Sequence, residues 1–204
     1  MRLFILPGMG ATSDMYKGVW RSLPNAVFLE WPAYDGETEL PEVAERLVHE
    51  AEITSHDFPL GSSMGGMVAL EIAARVGSQV AGLIGSARHP GELSQFAQML
   101  SAVSTIAPIR LAQLVAGNLL GEMGAQFQST DPRFIQAMCR AIANWRPPEF
   151  HGDVVRVHGA RDPVIPCPAD ALSIEDAGHL VALTHATECV EALIGLLEDS
   201  GIAI

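Results

Sequence analysis

Three residue types in this chain stand in an order that can cleave an acyl bond. Ser63 sits in Gly61-Ser62-Ser63-Met64-Gly65, a G-x-S-x-G pattern. The short apolar run from Phe58 to Leu60 precedes it, and the long apolar helical pattern from Met67 to Val76 follows. A serine on a sharp strand-to-helix turn is pushed out of the sheet, where its hydroxyl can attack a carbonyl. The flanking glycines suit a turn too tight for Cβ atoms. A serine hydroxyl is a poor nucleophile at neutral pH and needs a base within hydrogen-bond reach, held in turn by an acid. Asp162 follows in Val157-His158-Gly159-Ala160-Arg161-Asp162, just past a predicted strand, and His179 follows in Ala177-Gly178-His179. The order nucleophile, acid, base is the one expected when the nucleophile occupies such an elbow.

The oxyanion formed on attack needs backbone donors. The Met64 amide, next to the nucleophile and at a helix N-terminus, is one candidate. The loop Pro7-Gly8-Met9-Gly10 after the first strand offers the second, the Met9 amide.

The elements that must position these groups follow from periodicity and breakers. Strands are expected at Arg2–Leu6, Ala26–Trp31, Phe58–Ser62, Val80–Ser86, Val154–His158 and Ala171–Ile174. Ser13 or Asp14 is expected to cap a helix running to about Leu23, and Thr38 one with apolar positions at Leu40, Val43, Ala44, Leu47, Val48 and Ala51. Thr184 is expected to cap a last helix to about Glu198. Strands alternating with helices imply a parallel sheet. From Gly91 to about Trp145 the pattern is helical only, with segments at Leu93–Ser104, Arg110–Leu120 and Pro132–Asn144. This predicts a core of residues 1–90 and 146–204 with a helical cap inserted at 91–145.

Composition narrows the partners. The chain has 204 residues, 49% of them hydrophobic, which is enough for one domain with a sizeable core. A formal net charge of −12 argues against nucleic acid and anionic membranes. The N-terminal apolar run, Leu3 to Leu6, is too short for a signal peptide and ends in Pro-Gly. No stretch reaches the length of a membrane span, and Glu71 interrupts the most apolar helix. Cys139, Cys167 and Cys189 are irregularly spaced and read as free thiols of a cytoplasmic protein. No cysteine and histidine cluster has zinc-ligand spacing.

The loop LPGMG, the elbow GSSMGG, the acid turn HGARDPVIP and the base turn GH together resemble the serine hydrolases of the α/β-hydrolase fold, from Arg2 to about Leu197. The resemblance implies a three-layer α/β fold with an approximately six-stranded, mostly parallel sheet and a small helical cap. It implies Ser63 as nucleophile, Asp162 as acid and His179 as base, with no metal and no organic cofactor. The chain departs from the family in carrying Pro7-Gly8 where many members have His-Gly, and in starting two strands late. Only 17 residues separate Asp162 from His179, so a helix usual there is expected to be lost.

The expected function is cleavage of a small-molecule carboxylic ester or thioester through an acyl-enzyme on Ser63. Lactone, amide and carbon–carbon bond hydrolysis can use the same groups, and a ligand-binding relative with little turnover is the alternative from another class. Arg88 and His89, after the fourth strand, could hold a substrate carboxylate or polar headgroup, or simply form a solvated junction turn. Met99, Met123, Met138, Phe127 and Phe134 could line an adaptable acyl pocket and are equally explained as cap core. His158 is expected to brace the acid turn, Ser62 to be a turn residue, and His185 to be a surface residue rather than a rival base.

Overall fold

The computed structural model describes residues 1–94 and 129–202. Six parallel strands form one sheet in the order β2-β1-β3-β4-β5-β6. They are β1 (Leu3–Leu6), β2 (Ala26–Phe28), β3 (Phe58–Ser62), β4 (Val80–Ile84), β5 (Asp153–Gly159) and β6 (Leu172–Ile174). β1, β3 and β4 are buried along their whole length. Their near-continuous apolar sequence is what a parallel sheet covered on both faces demands.

Helices cover both faces. Helices α1 (Leu40–Glu50), α2 (Met64–Val76) and α3 (Pro132–Ala143) pack with Phe4, Leu6, Ala81 and Leu83 into one cluster. On the other face, two 3-10 turns (Ser13–Met15 and Gly18–Ser22) and α5 (Ala186–Asp199) bury Met15, Trp20, Cys189 and Leu193 against Leu3, Ile5, Leu60 and Val157. The short helix α4 (Val181–Thr184) joins this second cluster through Val181 and Ala182. The result is the expected three-layer α/β architecture. The helical segments expected at Leu93–Ser104 and Arg110–Leu120 lie almost wholly outside the described residues. Within the expected cap, Phe134, Ile135 and Met138 of α3 belong to the core cluster of α1 and α2.

Several local expectations are corrected. The helix expected from Ser13 to Leu23 is two separate 3-10 turns, because Lys17 between them is extended (φ −108°, ψ 168°) and breaks the spiral before Gly18 begins the second turn. Glu39, not Thr38, stands at the N-cap of α1. The Glu42 carboxylate accepts from both the Glu39 and Thr38 amides (3.1 and 2.6 Å), satisfying donors that a helix start leaves without intrahelical partners. β2 stops at Phe28 rather than Trp31. The last helical stretch is split, with His185 rather than Thr184 at the N-cap of α5. No helix lies between β5 and β6, as the short acid–base spacing implied.

Candidate active site

The site forms where the connections leave the sheet in opposite directions. From β1 the chain crosses to β2 on one side, and β3 lies on the other. The crevice at the C-terminal ends of β1 and β3 is therefore a topological switch point, where open α/β sheets build their sites. Ser63 follows β3 directly. It adopts φ 53° and ψ −124°, a strained conformation for a residue with a side chain. Four bonds hold its backbone there: the Ser63 amide donates to Ile84 O (3.0 Å), Ser86 Oγ donates to Ser63 O (2.6 Å), and the Gly66 and Met67 amides donate to the same carbonyl (3.0 and 3.4 Å). The glycines are required by contact. A Cβ on Gly66 would lie 2.5 Å from Ser86 Oγ, and one on Gly65 would run into the carbonyls of Leu6 and Pro7.

Asp162 and His179 come to the same point. His179 Nε2 lies 3.0 Å from Ser63 Oγ, and His179 Nδ1 lies 2.8 Å from Asp162 Oδ2. A carboxylate only accepts, so Nδ1 carries the proton and Nε2 is left to accept from the serine hydroxyl. The Asp162 side chain is fully buried, while that of His179 keeps 19% of its surface exposed. Asp162 Oδ1 accepts from the amides of Val164 and Ile165 (2.8 and 2.9 Å). Burial alone would raise its pKa, but the bonds from His158 and His179 outweigh it and hold the carboxyl well below the usual range. His158 does brace the acid turn: its Nε2 donates to Ile165 O (2.8 Å) and lies 3.2 Å from Asp162 Oδ2.

The base loop is stitched to the acid turn. The Ala160 amide donates to Ile174 O and the Arg161 amide to Ala177 O, both at 2.9 Å. A Cβ on Gly159 would lie 2.5 Å from Ala177 O, so the glycine lets the two loops close without an intervening helix. Trp20 Nε1 donates to Ala182 O (2.8 Å), tying α4 to the second 3-10 turn.

Met64 is the first residue of α2 and Met9 lies in the loop after β1. Neither amide donates to a protein acceptor among the described residues. Trp31 Nε1 donates to Gly8 O (2.9 Å) and fixes the back of that loop. Gly8 lies against Ser63, its Cβ position 3.7 Å from Ser63 Cβ. A cavity of about 260 Å³ opens beside the loop, with Ala11, Trp31, Tyr34 and Phe134 in its lining.

Arg88 and His89 are exposed at the junction after β4. The Arg88 amide donates to Glu92 Oε2 (2.8 Å), and His89 Nδ1 accepts from the Gly91 amide (3.0 Å). Of the proposed pocket residues, Phe134 and Met138 are buried in the core, and Met99, Met123 and Phe127 lie outside the described residues. Ser62 is not in a turn: it ends β3, buried, with Oγ 2.9 Å from the Tyr16 hydroxyl.

Sequence reasoning missed the supports. Arg156 points from mid-strand into the interior, where it bonds Ser86 O (3.1 Å), Glu92 (2.7 Å) and Asp170 (2.9 Å). Glu71 is buried and accepts from Trp145 Nε1 (2.7 Å), and burial raises its pKa. Tyr16, Ser86 and Arg156 have no local motif that marks them. Their partners lie 46, 23 and 70 residues away, so only the folded chain reveals the pairing.

Sheet order, elbow, and the three joined side chains define an α/β hydrolase. The sequence profile of the alpha/beta hydrolase family matches residues 3–192, and the chain belongs to that family. No curated protein sequence matches it. Solved structures share the fold at low identity. An esterase from Thermogutta terrifontis is 16% identical, with TM-score 0.74 over 98% of this chain and 90% of its own. A hydrolase from Oleispira antarctica is 14% identical, with TM-score 0.75 over 98% and 92%. The RedJ thioesterase from the prodiginine pathway of Streptomyces coelicolor is 20% identical, with TM-score 0.68 over 98% and 90%. Among the described residues, no helix is long and apolar enough to cross a membrane.

Proposed function

We propose that the protein hydrolyses a small carboxylic ester or thioester through an acyl-enzyme on Ser63. The observation that carries the proposal is the unbroken chain Ser63 Oγ–His179 Nε2, His179 Nδ1–Asp162 Oδ2, at 3.0 and 2.8 Å. His179 takes the serine proton as Oγ attacks, and the carbonyl oxygen gains charge facing the Met9 and Met64 amides. His179 then gives the proton to the leaving alcohol or thiol, and the C–O or C–S bond breaks. In the second half it activates water, which releases the acid and frees Ser63. Asp162 holds the imidazole tautomer and stabilises its charge. The protein needs no metal or organic cofactor for this sequence.

The substrate is proposed as a small-molecule ester or thioester met in the cytoplasm, and the net charge of −12 argues against nucleic acid and anionic membranes as partners. Residues 91–145 are proposed as the insertion over the site, although α3 within it packs as part of the core. Arg88 and His89 are proposed to meet a polar part of the substrate at the rim. His89 is the weaker candidate, since Nδ1 is already engaged.

Turnover of a short p-nitrophenyl ester tests the reading. Sustained turnover, abolished in Ser63→Ala, is expected. A single slow reaction, or unchanged activity in Ser63→Ala, would place the chain with ligand-binding relatives or with another nucleophile.

A further inference from the structure

We propose that Tyr16 is a positioning residue, whose hydroxyl bridges Leu6 and Ser62 and so sets the spacing between the Met9 and Met64 amides. The proposal rests on the reading of Ser63 as nucleophile.

β1 and β3 run in register up to Leu6 and Gly61. Beyond that point the ladder fails, because Pro7 has no N–H to donate and Ser62 leads into the elbow. The two strand ends must nevertheless stay at a fixed separation. Met9 lies three residues past Leu6, and Met64 two residues past Ser62. Tyr16 fills the gap: its hydroxyl lies 2.6 Å from Leu6 O and 2.9 Å from Ser62 Oγ. The phenol has one proton, and the carbonyl can only accept, so Tyr16 donates to Leu6 and Ser62 donates to Tyr16. This makes a directed chain from the elbow strand to the oxyanion loop.

The hydroxyl is held rigidly. Tyr16 is fully buried, with its ring edge-on to Trp20 (centroids 5.0 Å) and against Phe28 (5.7 Å). Burial pushes its pKa well up, so the donor proton is retained at working pH. Leu6 O also has little freedom: a Cβ on Gly65 would lie 2.7 Å from it. A shift of Leu6 therefore moves the loop against the first turn of α2, where Met64 stands.

Kinetics on a p-nitrophenyl ester, combined with inhibition by phenylboronic acid, tests this. The boronate adduct on Ser63 is tetrahedral and places an oxygen between the two amides. Tyr16→Phe keeps the ring and removes the hydroxyl. A fall in kcat of about tenfold or more is expected, with KM within about twofold and the boronate inhibition constant rising with the loss in kcat/KM. Ser62→Ala is expected to lose less, and to add nothing in the Tyr16→Phe background, because both act through one chain of bonds.

A Tyr16→Phe enzyme with wild-type kcat and boronate affinity overturns the proposal, even if its thermal midpoint falls, since that outcome is a purely structural role. A rise in KM alone, or losses that add in the double variant, also overturns it. If Tyr16→Phe does not fold, Ser62→Ala decides by the same two readouts. Labelling of wild type at Ser63 by a fluorophosphonate separates the two readings. With labelling present, an unaffected Tyr16→Phe removes this proposal alone; without it, the reading of Ser63 fails first.

Discussion

His158 and His179 share one acceptor. Their ring nitrogens lie 3.2 and 2.8 Å from the same oxygen of Asp162, one imidazole fully buried and the other facing the site. His158 also carries Ile165 O, so a single side chain braces both ends of the acid turn. Its removal leaves a cavity and an unpaired carbonyl. His158→Ala is expected to cost roughly 2–4 kcal/mol of stability, with a smaller loss of kcat than Asp162→Ala. Urea unfolding and ester kinetics on both variants measure this. A wild-type unfolding midpoint in His158→Ala would show that the brace is dispensable.

Acid stability follows from two depressed carboxyls. For Asp57, as for Asp162, burial alone would raise the pKa. At Asp57 the Arg2 guanidinium and the Thr54 amide and hydroxyl outweigh it, and the pKa falls well below the usual range. Both folded pKa values are below the unfolded ones, so the unfolded chain binds more protons in the window between them. The stability these groups contribute is therefore full above about pH 4 to 5 and is lost as the pH falls further. Asp57→Asn is expected to be less stable than wild type at neutral pH, the gap narrowing towards pH 3. Unfolding curves across that range check the sign, and a gap that widens in acid would contradict it.

The backbone of Ser63 stores strain that glycine would release. With φ at 53°, Ser63→Gly and Ser63→Ala are both expected to lose hydrolytic activity. They are expected to differ in stability, with the glycine variant about 1 kcal/mol more stable than the alanine one. Thermal unfolding of the two inactive proteins makes the comparison without reference to catalysis. Equal midpoints would mean that the elbow is not strained by its side chain.

Much of this was legible in the sequence, for an identifiable reason. Ser63, Asp162 and His179 each sit in a short motif at a strand end, so strand periodicity placed them at one edge of a parallel sheet. β3 begins and ends where its apolar run and the elbow glycine imply. What escaped depends on tertiary context. No breaker marks Lys17 within the Ser13–Leu23 pattern, yet its extended backbone splits the stretch into two 3-10 turns. Thr38 is the better intrinsic cap, but Glu42 reaches back to the Glu39 amide and fixes the start one residue later. Glu71 stood out only as a charge interrupting the most apolar helix, because the Trp145 partner that lets it be buried lies 74 residues on. Tyr16 lies unmarked within the helix expected from Ser13 to Leu23, since no spacing relates it to Ser62.

The central claim, that Ser63 is the nucleophile activated by His179, is met most directly by covalent labelling. A fluorophosphonate probe followed by peptide mapping is expected to place one adduct on Ser63, with labelling abolished in Ser63→Ala and slowed by orders of magnitude in His179→Ala. A wild-type protein that stays unlabelled, or an adduct on any other residue, would contradict it.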